Sequence, residues 1–81
     1  GFYQFVLESI RDGQNTPTLL SNSIRKAYGT GTTRNWNEKQ VPTYRTGAIG
    51  LLGDLGLISR TWNYRRVVYD LTNKGRGVIK K

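Results

Sequence analysis

Apolar residues recur along the first dozen positions at the spacing of one helix face. In FYQFVLESIRD, residues 2–12, Phe2, Phe5, Val6 and Ile10 fall three and four apart, the period that buries one stripe of an α-helix. Gly13 accepts the left-handed conformation that ends helices. After a short polar loop, Thr16 and Pro17 open a second helix. A threonine side chain accepts from an unpaired N–H of the first turn, and proline at the first position lacks an N–H that would have no partner. Leu20, Ile24, Ala27 and Tyr28 make its inner stripe. Arg25 and Lys26 suit the negative C-terminal end of its dipole, and Gly29 closes it.

Residues 29–41, GTGTTRNWNEKQV, break the periodicity. Glycines and threonines resist helix there, with one helical turn expected near Asn37–Gln40. Pro42 then opens a third helix, PTYRTGAIGLLGDLG, closed by Gly56. At about 100° per residue, Tyr44, Ala48, Leu51, Leu52 and Leu55 share its inner face. Thr43, Thr46, Gly50, Gly53 and Asp54 share the opposite one. Its interior glycines cost about 1 kcal/mol each relative to Ala, so a neighbour packs closely against them or a ligand approaches. Alternation of Val67, Tyr69 and Leu71 marks a strand, paired through a hairpin with residues 57–61. The hairpin tip is Trp62, Asn63, Tyr64, Arg65 and Arg66. Thr72 caps a last short helix, NKGRGVIKK, in which Val78 and Ile79 fold back on the body and two glycines favour fraying. The expected fold class is mainly α with a small β-hairpin (α+β), in one domain spanning residues 1–81.

Charge changes the picture most. Thirteen Lys and Arg against five Asp and Glu leave a net charge of +8 and a pI near 10.3, a balance that favours polyanions, nucleic acid first. There is no Cys or His, so no disulfide and no thiolate or imidazole metal site is available. The five carboxylates show no paired or metal-ligand spacing and GTGTTR lacks the Walker lysine, so no enzyme and no cofactor is expected. No apolar run approaches the ~20 residues of a membrane span, the N-terminus lacks the features of a signal peptide, and no membrane partner is expected. An intracellular setting, cytoplasmic or nuclear, follows. The chain has no Met: either an initiator was removed before Gly1, or the chain is a fragment of a longer protein.

LLGDLGLISR, a basic tip and VVYDLTNKGR together resemble the second half of a winged-helix domain. In that family a leucine-rich third helix ends in a Gly-Leu-Ile turn into the first wing strand, matched here by Leu52, Leu55, Gly56, Leu57 and Ile58. The second wing strand often ends in Leu-Thr-x-x-Gly-Arg, matched by Leu71, Thr72, Gly75 and Arg76. The resemblance covers residues 43–79 well and the first two helices by pattern only. Most of it reports fold: Leu52 and Leu55 read as core, Gly56 as a turn, Thr72 as a cap.

The resemblance implies a winged helix-turn-helix that binds double-stranded DNA, in a role such as transcription regulation, with the third helix in the major groove and the wing on adjacent backbone or minor groove. On that helix Arg45 would pair with guanine, Thr43 and Thr46 would meet phosphate or a thymine methyl, and Gly50 would allow close approach. In the wing, Arg60, Arg65 and Arg66 would lie on phosphates or enter the minor groove, with Trp62 and Tyr64 bracing them, and Lys74 would add charge. The bland readings are a core anchor for Tyr44, a solvated flank for Arg45 and incidental charge on the hairpin. One departure stands out. A helix-turn-helix turn is usually three or four residues, and residues 29–41 are far longer. Trp36 reads as a plug under that loop; otherwise Arg34, Trp36 and Lys39 form a second contact surface.

Two other functions compete. A protein-interaction winged helix, docking a partner protein or another domain of the parent chain, would use Trp62 and Tyr64 as anchors. Single-strand or RNA binding would use Trp36, Trp62 and Tyr64 as stacking platforms.

Overall fold

Several helix boundaries have a hydrogen-bonding reason in the computed structural model, which describes residues 1–79. The elements run α1 (Phe2–Arg11), α2 (Pro17–Tyr28), α3 (Gln40–Asp54), β1 (Ile58–Asn63), β2 (Arg66–Leu71) and α4 (Asn73–Ile79), a small α+β architecture. Thr16 Oγ1 accepts from the Leu19 N–H at 3.2 Å and caps α2. Helix α3 starts two residues earlier than its proline suggests. Asn37 Oδ1 accepts from the Gln40 N–H at 2.9 Å, and Gln40 Oε1 accepts from the Asn37 N–H at 2.9 Å. This reciprocal pair closes the turn that leads into α3, in the manner of a capping box. Pro42 then falls in the first turn, where its missing N–H leaves no gap. At the other end Gly56 takes φ +75° and the Leu57 N–H reaches back to the Leu52 carbonyl at 2.9 Å, a Schellman closure. Thr72 Oγ1 accepts from the Gly75 N–H at 3.0 Å and donates to the Gly56 carbonyl at 2.6 Å, tying the start of α4 to the end of α3.

Strands β1 and β2 pair antiparallel, from Ile58↔Leu71 to Asn63↔Arg66. The hairpin turn is therefore only Tyr64 and Arg65; Trp62, Asn63 and Arg66, expected at the tip, belong to the strands. The Tyr69 N–H donates to the Asn15 carbonyl at 2.7 Å, so the α1–α2 connection runs along the second edge of β2 and covers part of it.

The core gathers under the hairpin's proximal half. Val6, Leu7 and Ile10 of α1 meet Leu20 and Ile24 of α2, Leu52 of α3, and Ile58, Tyr69 and Leu71 of the sheet. The inner face of α3 differs from expectation. Val41, Ala48, Ile49 and Leu52 are buried, whereas Tyr44, Leu51 and Leu55 stay well exposed. Only Ile49 lies outside the expected face; counting it with Val41, and leaving out the three exposed residues, turns the stripe's centre by roughly 60°. Ala27 is likewise exposed, and of the last pair only Ile79 is buried while Val78 faces out. The last two residues of the expected final helix, 80 and 81, lie outside the described residues.

The long connection before α3 is ordered by aromatic stacking. Trp36 lies between Tyr28 (centroids 4.9 Å apart, planes at 17°) and Tyr44 (4.0 Å, 18°), with Phe2 edge-on to it at 5.2 Å. Its N–H donates to the Tyr28 carbonyl at 2.8 Å. Arg25 Nε holds Glu38 at 2.9 Å across the loop's far end. Trp36 is thus the plug, half-buried and stacked between two tyrosines. Among the described residues no helix is long and apolar enough to cross a membrane.

Candidate nucleic-acid interface

With α3 fixed by Val41, Ile49 and Leu52, its outward face carries Thr43, Thr46, Gly47 and Gly50. These spacings of three and four keep them on one side of the helix. A Cβ added at Gly47 or Gly50 would meet nothing within 4 Å. No neighbour inside the protein therefore requires glycine at either position. Thr43 donates its hydroxyl to the Lys39 carbonyl at 3.1 Å and keeps acceptor capacity outward. Asp54 closes the face at its C-terminal end.

Arg60 extends this face. A Cβ at Gly53 would sit 3.9 Å from Arg60 Nη2, so the guanidinium from β1 lies beside the flank of α3. Helix and hairpin meet there in one surface.

Arg45 is placed elsewhere. Its Nη1 donates to Ser21 Oγ at 2.7 Å and its Nη2 to Thr46 Oγ1 at 3.4 Å, while its Nε is buried without a partner. The side chain is half-buried and turned toward α2, away from the face that carries Thr43 and Gly50. The signal was present in the sequence: Val41, Arg45, Ala48 and Leu52 fall at i, i+4, i+7 and i+11, one inward stripe. Close by, burial pushes the Tyr69 phenol above its usual range, and the Arg45 and Arg60 cations pull against that shift.

The distal hairpin stands clear of the core. Trp62 pairs with Val67 and is 71% exposed, and Tyr64 is 98% exposed. Tyr64 has φ +59°, the sign a type II′ turn needs at its first position, where glycine is the usual residue. A residue with a Cβ pays roughly 1–2 kcal/mol for that conformation. Arg66, Trp62 and Val67 form one wall of a cleft, and Thr16, Pro17 and Leu19 at the start of α2 form the other. That first turn holds no acidic residue, so the positive end of the α2 dipole and the hairpin arginines make one electropositive opening. Its α2 half was not expected from the sequence, although Thr16-Pro17 signalled a helix start.

Lys74 is engaged on the far side. Its Nζ donates to the Leu55 carbonyl at 3.0 Å, where a cation satisfies the C-terminal end of α3. Of the expected set, Thr43, Thr46, Gly50 and Arg60 come together. Trp62, Tyr64, Arg65 and Arg66 form the adjoining hairpin end, and Arg45 and Lys74 serve the fold. No protein-family model matches the chain, and no curated protein or solved structure matches it.

Proposed function

We propose that this chain is a winged helix-turn-helix domain that binds double-stranded DNA. In this reading α3 enters the major groove by its outward face, and the β1–β2 hairpin acts as the wing on the neighbouring backbone. The observation that carries it is the α3 face itself. Glycines at 47 and 50 cost about 1 kcal/mol each in a helix interior, and a Cβ at either would touch nothing in the protein. Their use is therefore external, where a smooth helix face permits close approach to a surface. Arg60 beside that face, Arg65 and Arg66 beyond it, and a net charge of +8 match that surface to phosphate. The three helices followed by a hairpin, with the Asn15 carbonyl on the edge of β2, support the same architecture. An intracellular, DNA-associated role goes with it.

A salt titration of binding tests the reading. A labelled mixed-sequence duplex is followed by fluorescence anisotropy, with single-stranded DNA and RNA as controls. Duplex binding that falls steeply with salt is expected, since the slope counts phosphates neutralised. No binding at low salt would end the DNA reading. One observation favours a second reading, a protein-docking winged helix. Leu51 and Leu55 are 41% and 49% exposed on the flank of α3 that also bears Tyr44, an apolar strip that a protein partner would cover.

A further inference from the structure

We infer that the hairpin tip stacks on an exposed base face, so that the DNA selected is one with an end, a gap or a junction between duplex and single strand. This rests on the DNA reading above and narrows its substrate class. The chain holds two tryptophans and five tyrosines, and it uses them in two different ways. Trp36 is stacked with Tyr28 and with Tyr44 and so spends its ring on the protein's own aromatics. Trp62 and Tyr64 are 71% and 98% exposed, and among the described residues neither ring pairs with another aromatic. Tyr64 occupies a turn position with φ +59° that glycine would fill without strain. The backbone is thus held in an unfavourable conformation to present a ring that touches nothing in the protein, and such outliers mark function.

The ligand follows from where a flat ring finds a flat partner. In an uninterrupted duplex each base face is covered by its neighbours, and a ring at a groove meets only sugars and base edges. At an end or junction one face is open. Stacking there is tolerant of sequence because every base has a π-face, and it is worth roughly 5- to 150-fold in affinity per base. Arg65 and Arg66 follow Tyr64 directly in the chain and suit the phosphates next to such a base. Trp62 lies one position before the turn's flanking residue Asn63, placed to meet a second base or sugar.

The test uses the 81-residue chain and a labelled forked duplex. Two unlabelled competitors are compared at equal nucleotide concentration: the same fork, and a relaxed double-stranded minicircle, which has no ends. The fork is expected to compete about ten-fold better. Tyr64→Gly, which suits the turn and keeps the hairpin, should reduce fork affinity about five-fold or more and minicircle affinity by much less, so that the advantage of the fork is lost. Tyr64→Phe should retain the preference. 2-Aminopurine at the first unpaired position should lose fluorescence on binding the unsubstituted chain and much less on binding Tyr64→Gly. A minicircle that competes as well as the fork, or a preference that survives Tyr64→Gly, overturns the inference and leaves duplex binding standing. Failure of the unsubstituted chain to bind any of these DNAs overturns the DNA reading itself, and with it this one, in favour of a protein partner at the tip.

Discussion

Trp36 and Tyr44 lie face to face, ring centroids 4.0 Å apart and planes 18° from parallel. One comes from the irregular connection and the other from α3, so their contact holds that segment against the candidate recognition helix. Trp36→Ala removes both stacks and one of the edge contacts of Phe2. Each aromatic pair is worth about 0.5–1.5 kcal/mol beyond area, and the half-buried indole adds its own burial. A loss of about 2–3 kcal/mol is expected in denaturant unfolding followed by far-UV circular dichroism. Trp36→Phe should recover part of it. A change below about 0.5 kcal/mol would mean that the loop docks by some other means.

Two glycines in α4 should respond with opposite signs. A Cβ at Gly75 would overlap the Leu57 carbonyl, whereas one at Gly77 would meet nothing within 4 Å. Gly75→Ala forces the helix off the α3–β1 turn and should cost about 2 kcal/mol or more. Gly77→Ala gains helix propensity and should stabilise by about 0.5–1 kcal/mol. Melting temperatures of the two variants, compared with the parent, check the pair; shifts of the same sign would contradict the close approach.

Tyr69 predicts an alkaline limit to stability. Burial raises its phenol above the usual range, so the folded state holds the proton more tightly than the unfolded one. The associated stability is intact below the unfolded value near 10 and is lost as pH rises from there through the folded value. The decline approaches about 1.4 kcal/mol per pH unit at most. Urea unfolding between about pH 8 and 11 should show a fall that Tyr69→Phe flattens. Equal falls in both proteins would assign it to other groups.

Much of this architecture is legible in the residues, and the misreadings have physical causes. Thr16-Pro17, Gly56 and Thr72 each act through a local hydrogen bond or a special φ, so sequence alone places them. The Asn37/Gln40 pair is equally local: a helical turn is legible there, and the proline two residues on marks a later start because it suits any first-turn position. The inward face of α3 was not local. Leu51 and Leu55 are as apolar as Ile49, and only the packing of α1, α2 and β1 against one side decides which are covered. Arg45 goes with that face. A long basic side chain is easily assigned to solvent, yet its stripe with Val41 and Ala48 carried it to Ser21. The hairpin turn shortened because strand pairing continued to Asn63↔Arg66, leaving Tyr64 in a conformation that composition does not suggest.

The hairpin arginines should register in salt dependence rather than in sequence preference. Each phosphate contact on B-DNA contributes about 0.9 to the slope of log affinity against log salt. Arg65→Ala combined with Arg66→Ala should therefore lower the slope by about 2 and weaken binding to every duplex alike. Arg45→Ala should leave the slope unchanged and reduce stability, because its guanidinium is spent on Ser21 Oγ and Thr46 Oγ1. An unchanged slope in the double variant would remove the wing from the interface.

Gly50 separates the cost to the protein from the benefit to a ligand. In the free protein a side chain there meets open space and improves helix propensity, so Gly50→Ala should stabilise by up to about 1 kcal/mol. Gly50→Gln should also stabilise, by less than alanine does. If α3 docks by this face, the added atoms stand between the helix and the base edges, and affinity falls even as the melting temperature rises. The glutamine variant should lose at least about ten-fold in duplex affinity, equivalent to about 1.4 kcal/mol, and alanine less. Thermal unfolding and anisotropy on the same preparations read both effects. A variant that is more stable and binds as well as the parent would show that the smooth face of α3 is not where DNA sits, and the exposed strip of Tyr44, Leu51 and Leu55 would become the surface to block next.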